Sequence, residues 1–156
     1  MNDENESISA ICHSWWLATF ATRASGANSA RARLRRASAP IDALMIAETH
    51  DLAQRLLAAG HDMRRRPDIL AAIAHVLAHV REDIPQRIAG RFGSAVSDAR
   101  FHRLLAADTA SELAVQLVRQ LPLVGHRADI GALANDIFYW DDRTRTRWTF
   151  DFYEAA

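Results

Sequence analysis

The chain has 156 residues, 49% of them hydrophobic and 24% charged, with 19 arginines, no lysine, 19 acids and a formal net charge of zero. This is the composition of a globular domain with a real core, and it excludes a disordered chain. One cysteine, Cys12, excludes an internal disulfide framework and fits a reducing compartment, and no apolar run approaches the roughly 18 to 20 residues that span a membrane.

Residues 7–40 are rich in Ser and Arg and free of acids, the composition of an organellar transit peptide. Against that reading the chain opens MNDENE, and Trp15 and Trp16 suit a core, so a cytoplasmic location without membrane attachment is expected. In chain order, the pattern predicts a first helix over 8–24 with Ile8, Ile11 and Trp15 on one face, then a loop at SGANS. Ser29 is placed to cap a short helix over 30–37, with Ala30, Leu34 and Ala37 inward and Arg31, Arg33, Arg35 and Arg36 outward. Pro40 opens a helical region that ends near Gly60 and buries Leu44, Leu52, Leu56 and Leu57. GHDMRRRPD reads as a loop, and Pro67 starts a helix with Ile69, Ile73, Val76, Leu77 and Val80 on one stripe.

Pro85, Gly90 and Gly93 mark a break. Ser97 or Asp98 begins a helix carrying Phe101, Leu104 and Leu105, and Asp108 or Thr109 begins one carrying Leu113, Leu117 and Leu121 that Pro122 ends. The last helices span 130–140 and the C-terminal stretch holding Trp148 and Phe152. Neither strand alternation nor a hairpin turn signal occurs. The expected fold is all-α, a bundle of about seven to nine helices, with an N-terminal lobe over about 7–84 and a C-terminal lobe over about 97–156.

Few motifs carry catalytic chemistry. His-Asp occurs at His50-Asp51 and His61-Asp62, an arrangement used by all-helical metal phosphohydrolases. Such a site needs further ligands, and the spacing of His75, Asp108 and Asp129 selects none of them. His75 and His79 stand four apart and could chelate a metal, but a zinc-protease helix needs glutamate after the first histidine, and Val76 stands there. Both histidines point away from the Ile69, Ile73, Val80 stripe and are expected on a solvated face. A phosphate-cradling glycine loop, a nucleophile elbow and paired cysteines are all missing, so no catalytic residue, metal site or cofactor is assigned.

The arginine total, beside 30 alanines, is what the codon bias of a GC-rich genome would produce; the placement of the arginines is not explained by composition. The arginines group at Arg31 to Arg36, at Arg64 to Arg66, at Arg100, Arg103 and Arg119, and at Arg143, Arg145 and Arg147. Guanidinium groups bind phosphate bidentately, and a local field matters more to a polyanion than a net charge of zero.

Four stretches, in order, resemble the CasB family, the small subunit of the type I-E CRISPR surveillance complex Cascade. They are SWWLATF followed by LRRA, SDARFHRLLAAD over 97–108, LAVQLVRQLPL with Arg119, and DIFYWDDRTRTRWTFDFY over 136–153. Residues 60–96 match weakly. The resemblance implies an all-helical, non-catalytic subunit in two small lobes that packs as two copies beside other Cascade subunits and the guide RNA. It also implies a role in holding the DNA strand displaced when the guide pairs with its target. The implied nucleic-acid contacts are Arg35 and Arg36 from the family's Arg pair, Arg100, Arg103 and Arg119 from the mid-chain match, and Arg143, Arg145 and Arg66. Arg147 stands apart as a candidate brace for the fold beside Trp148. This chain departs from relatives that mix lysine with arginine, and it has Thr109 where some carry a base. The competing readings are a purely structural assembly subunit and a His-Asp metal hydrolase.

Overall fold

The computed structural model describes residues 6–21 and 27–155 of the protein. Helix α1 (Ile8–Trp16) starts at Ser7, whose hydroxyl accepts from the Ala10 amide at 3.1 Å. A π-helical turn, Leu17–Ala21, continues it and buries Phe20 against the edge of Trp15. The rest of the helix expected to residue 24, Ser25 and Gly26 of the SGANS stretch, and Arg23 lie outside the described residues, while Ala27, Asn28 and Ser29, expected in that loop, are already helical. Helix α2 (Ala27–Arg35) begins ahead of Ser29, which therefore sits in its first turn and is not the cap. Ala30 and Leu34 are buried on its inner face, as the spacing predicts.

A 3₁₀ turn (Pro40–Met45) and helix α3 (Ala47–Ala58) fill the region expected to be helical up to Gly60. Leu52 and Leu56 are buried, but Leu57 is exposed, because neighbours on a helix diverge by about 100° and α3 has an exposed side, onto which Leu57 falls. The GHDMRRRPD loop holds one 3₁₀ turn, Met63–Arg65.

Helix α4 (Pro67–Leu77) is the centre of the molecule. Every residue from Leu70 to Val80 is buried, so there is no solvated face. His75 and His79, expected in solvent, are buried with the rest, because α2, α3, the Pro40–Met45 turn and two later helices enclose α4 on all sides. A helix apolar all round is a core helix, and AAIAHVLAHV has that composition.

Within the expected break lies helix α5 (Ile88–Gly93), with Ile88, Ala89 and Phe92 inward. Just before it, the two-residue strand β1 (Glu82–Asp83) pairs in parallel with β2 (Arg127–Ala128), which precedes the later helix over 130–138. Helix α6 (Asp98–Leu105) is capped by Ser97, and α7 (Ala110–Gln120) by a Thr109–Glu112 capping box. Pro122 turns the end of α7 into a 3₁₀ turn, Leu121–Val124. Helix α8 (Ile130–Phe138) is capped by Asp129, and α9 (Asp142–Ala155) completes nine α-helices among the described residues. None is long and apolar enough to cross a membrane.

The closest helix contacts depend on glycine. A Cβ at Gly131 would lie 3.1 Å from the Ser9 carbonyl oxygen, which is how α8 seats on α1. A Cβ at Gly93 would collide with the Phe152 carbonyl oxygen, which is how α5 seats on α9. The tail is docked through α9, where Phe152 stacks on Phe101 with centroids 3.9 Å apart. All four tryptophans give their indole N–H to an acceptor: Trp15 to the Glu48 carbonyl, Trp16 to that of Leu77, Trp140 to that of Ala107, and Trp148 to the Asp136 carboxylate.

Candidate nucleic-acid interface

Seven arginine–carboxylate ion pairs join described residues, and they divide the arginines into those paired with an acid and those with none among the described residues. Arg33 meets Glu48 at 3.4 Å, Arg55 meets Asp51 at 3.3 Å and Arg64 meets Asp62 at 3.0 Å. Arg87, Arg127, Arg145 and Arg147 pair with Asp151, Glu82, Asp142 and Asp136. Arg35, Arg36, Arg66, Arg100, Arg103, Arg119 and Arg143 are exposed and make no ion pair among the described residues.

The cluster on α2 splits into structural and free members. Arg31 gives hydrogen bonds to the carbonyls of Val80 (2.8 Å) and Ala78 (3.3 Å), and its guanidinium lies 4.8 Å over the Phe20 ring. It thereby satisfies carbonyls just past the end of α4, where cations are favoured. Burial lowers its pKa, and the neighbouring charges of Arg35 and Arg81 add to that. Leu34, at the base of α2, accepts at its carbonyl from His75 Nδ1 at 2.8 Å. A carbonyl can only accept, so Nδ1 carries the proton of His75. The His79 ring stands edge-on to it at 5.1 Å, with a buried Nε2 that has no partner. Burial above all, then His75, Arg35, His126 and Arg31, push His79 down to about 4. Arg35 and Arg36 thus belong to a helix held by the His75 hydrogen bond to Leu34 and by the structural Arg31. Arg81, beside Arg31, is a cation that the sequence hides among the acids of REDI.

A second group forms between α6 and α7. Arg103 and Arg119 line one groove of about 360 Å³ together with Ala106 and Ala107. Glu112 also lines it, but its Oε1 accepts from the Thr109 and Asp108 amides at 3.3 and 3.1 Å, so the acid is committed to the helix start. Thr109 is the cap of α7 and supplies no charge. Arg100 stands one turn before Arg103 on exposed α6. Arg145 adjoins the groove: its Nη2 donates to the Ala107 carbonyl at 2.8 Å, its Nη1 to Asp142 at 3.1 Å, and it lies 5.1 Å over Trp140. Arg143 is exposed in the first turn of α9.

Arg66 lies elsewhere, in a pocket with Arg65, His61 and the aromatic end of α8. Arg65 and Tyr139 also line this pocket, a meeting with no local signal in the sequence, since only folding brings 61–66 to 138–139. Arg147 acts as the brace that its place beside Trp148 suggests: it and Trp148 share the buried Asp136 carboxylate.

The His-Asp dipeptides are otherwise engaged. His50 Nε2 meets the Leu44 carbonyl at 2.7 Å, Asp51 pairs with Arg55, and Asp62 accepts from the amide and side chain of Arg64. Among the described residues no three His, Cys, Asp or Glu side chains gather as a metal site.

Fold and surface together define a helical bundle whose exposed guanidinium groups, without ion pairs among the described residues, lie on several distinct elements. The chain belongs to the family described as CRISPR-associated protein Cse2 (CRISPR_cse2), whose profile matches residues 30–153. Its fold is similar to that of CasB from Thermus thermophilus, at 21% identity and a TM-score of 0.75, over 96% of this chain and 100% of that one. It is also similar to a chain in the crystal structure of E. coli Cascade bound to a PAM-containing double-stranded DNA target, at 20% identity and a TM-score of 0.70, over 99% and 100%. No curated protein matches the sequence.

Proposed function

We propose that the chain is a non-catalytic small subunit of a cytoplasmic CRISPR Cascade complex, where it helps to hold the displaced DNA strand by its phosphates. Its partners are other Cascade subunits, a second copy of itself and the guide RNA. The family membership and the similarity to a chain of DNA-bound E. coli Cascade support this setting. One observation carries the strand-holding role: Arg103 and Arg119 face one groove, unpaired among the described residues, while the groove's acid is occupied by backbone amides. Arg100, Arg35 and Arg36 extend the cationic surface; Arg143, Arg145 and Arg66 add to it. Phosphate contacts of this kind are indifferent to base sequence, as a strand of arbitrary sequence requires.

Exchanging a DNA duplex for an RNA–DNA hybrid is nearly balanced, so a few kcal/mol of protein contacts decide whether the opened state persists. The test is the assembled complex carrying Arg35→Ala, Arg36→Ala, Arg100→Ala and Arg119→Ala, with the lifetime of the opened DNA as readout. A shortened lifetime with assembly intact is expected. An unchanged lifetime removes these residues as the clamp, and lost assembly places the arginines against neighbouring subunits.

A further inference from the structure

We infer that the pocket between the 61–66 turn and the end of α8 takes one unpaired nucleotide, with its base on Tyr139 and its phosphate on Arg65 and Arg66. This rests on the strand-holding reading and adds base stacking to it. The pocket has a volume of about 440 Å³, room for one nucleotide unit. One wall is aromatic. Phe138 is buried at its back, meeting His61 edge-to-face at 5.3 Å and Tyr139 at 4.7 Å, while Tyr139 itself is 46% exposed.

The other wall is cationic. The Arg66 guanidinium lies 5.4 Å over the Phe138 ring, a contact that orients it at the pocket. The acid in this loop, Asp62, accepts from the Arg64 amide, Nε and Nη2. That pair cancels within itself and leaves the charge of Arg65 and Arg66 facing the cavity. Both walls are fixed at the backbone. Gly60, at a φ of +97°, turns the chain out of α3, and the amides of Gly60 and His61 close back on the Leu57 and Leu56 carbonyls. Tyr139 is tied by its amide to Asn135 and by its carbonyl to the Thr144 hydroxyl at 2.7 Å.

An exposed aromatic face beside two guanidinium groups matches the two halves of a nucleotide: a flat π surface and an anion. A carboxylate-bearing peptide would use the arginines and leave Tyr139 idle, so removing the base is the discriminating experiment. The full chain is titrated at one salt concentration with a thymidine oligonucleotide, a uridine oligonucleotide, and an abasic phosphodiester strand of equal length. The expected result is about tenfold tighter binding of a base-bearing strand than of the abasic one, the scale of one base–aromatic stack. Whether the deoxy- or the ribo-strand shows it identifies the strand. Tyr139→Leu abolishes the preference without weakening abasic binding, Tyr139→Phe keeps it, and Arg65→Ala with Arg66→Ala weakens all three. Equal binding of all strands by the unaltered protein, or a preference that survives Tyr139→Leu, overturns the pocket and leaves phosphate holding intact. Loss of salt-dependent binding to every strand overturns both.

Discussion

Asp136 divides one carboxylate between the Arg147 guanidinium and the Trp148 indole, and it is 4% exposed. Removing it strands a partly buried cation and an unpaired N–H together. Asp136→Ala is expected to cost about 3 kcal/mol, read as a lower denaturation midpoint. Arg143→Ala, at an exposed site, should stay within about 0.5 kcal/mol in the same assay. At this scale the sequence was half legible. Arg147 announced itself as a brace by adjoining Trp148, but its acid lies eleven positions upstream, and nothing local pairs them. Likewise Arg31 and Arg35 are alike in sequence. Only the packing of α2 over the end of α4 turns one to protein carbonyls and leaves the other outside.

Among elements, those with a cap and a long apolar stripe were readable: α6 and α7 start at Ser97 and Thr109, and Phe101, Leu104, Leu113 and Leu117 are buried as spaced. Helix α5 was not. It has only six residues, too few to be stable on propensity, and exists because α9 covers it. The Gly93 contact makes this testable. Gly93→Ala should lower the thermal midpoint by the equivalent of about 1–3 kcal/mol, since the methyl group meets a backbone oxygen that cannot yield alone. Gly90→Ala in the same helix meets nothing closer than 3.8 Å and should be neutral or stabilise by about 0.5–1 kcal/mol. A Gly93→Ala variant as stable as the parent would show that α9 is not seated this closely.

For the whole molecule, stability and charge respond to pH differently. His75 and His79 are held neutral by burial, with His79 pushed down to about 4 from an ordinary 6.5. The unfolded chain takes up a proton below pH 6.5 while the folded chain resists until about pH 4. The stability contribution is therefore complete above pH 6.5 and is lost progressively as pH falls toward 4. Denaturation midpoints across that window should drop, and His79→Leu, which cannot titrate, should flatten the drop. The guanidinium groups do not titrate there, so strand binding by the folded protein should keep its salt slope of about −0.7 per neutralised phosphate. The all-helical architecture was open to sequence because helical periodicity is local. The sorting of the cations was not, because it depends on which acid each arginine finds across the fold.

The four anchored indoles have a practical consequence. Trp15 and Trp16 are fixed to α3 and α4, while Trp140 and Trp148 report on the junction of α6, α8 and α9. They are built-in fluorophores at two separate stations. Replacing one pair leaves an optical signal from the other, so events near the α6–α7 groove can be followed in this lysine-free chain without attaching a dye.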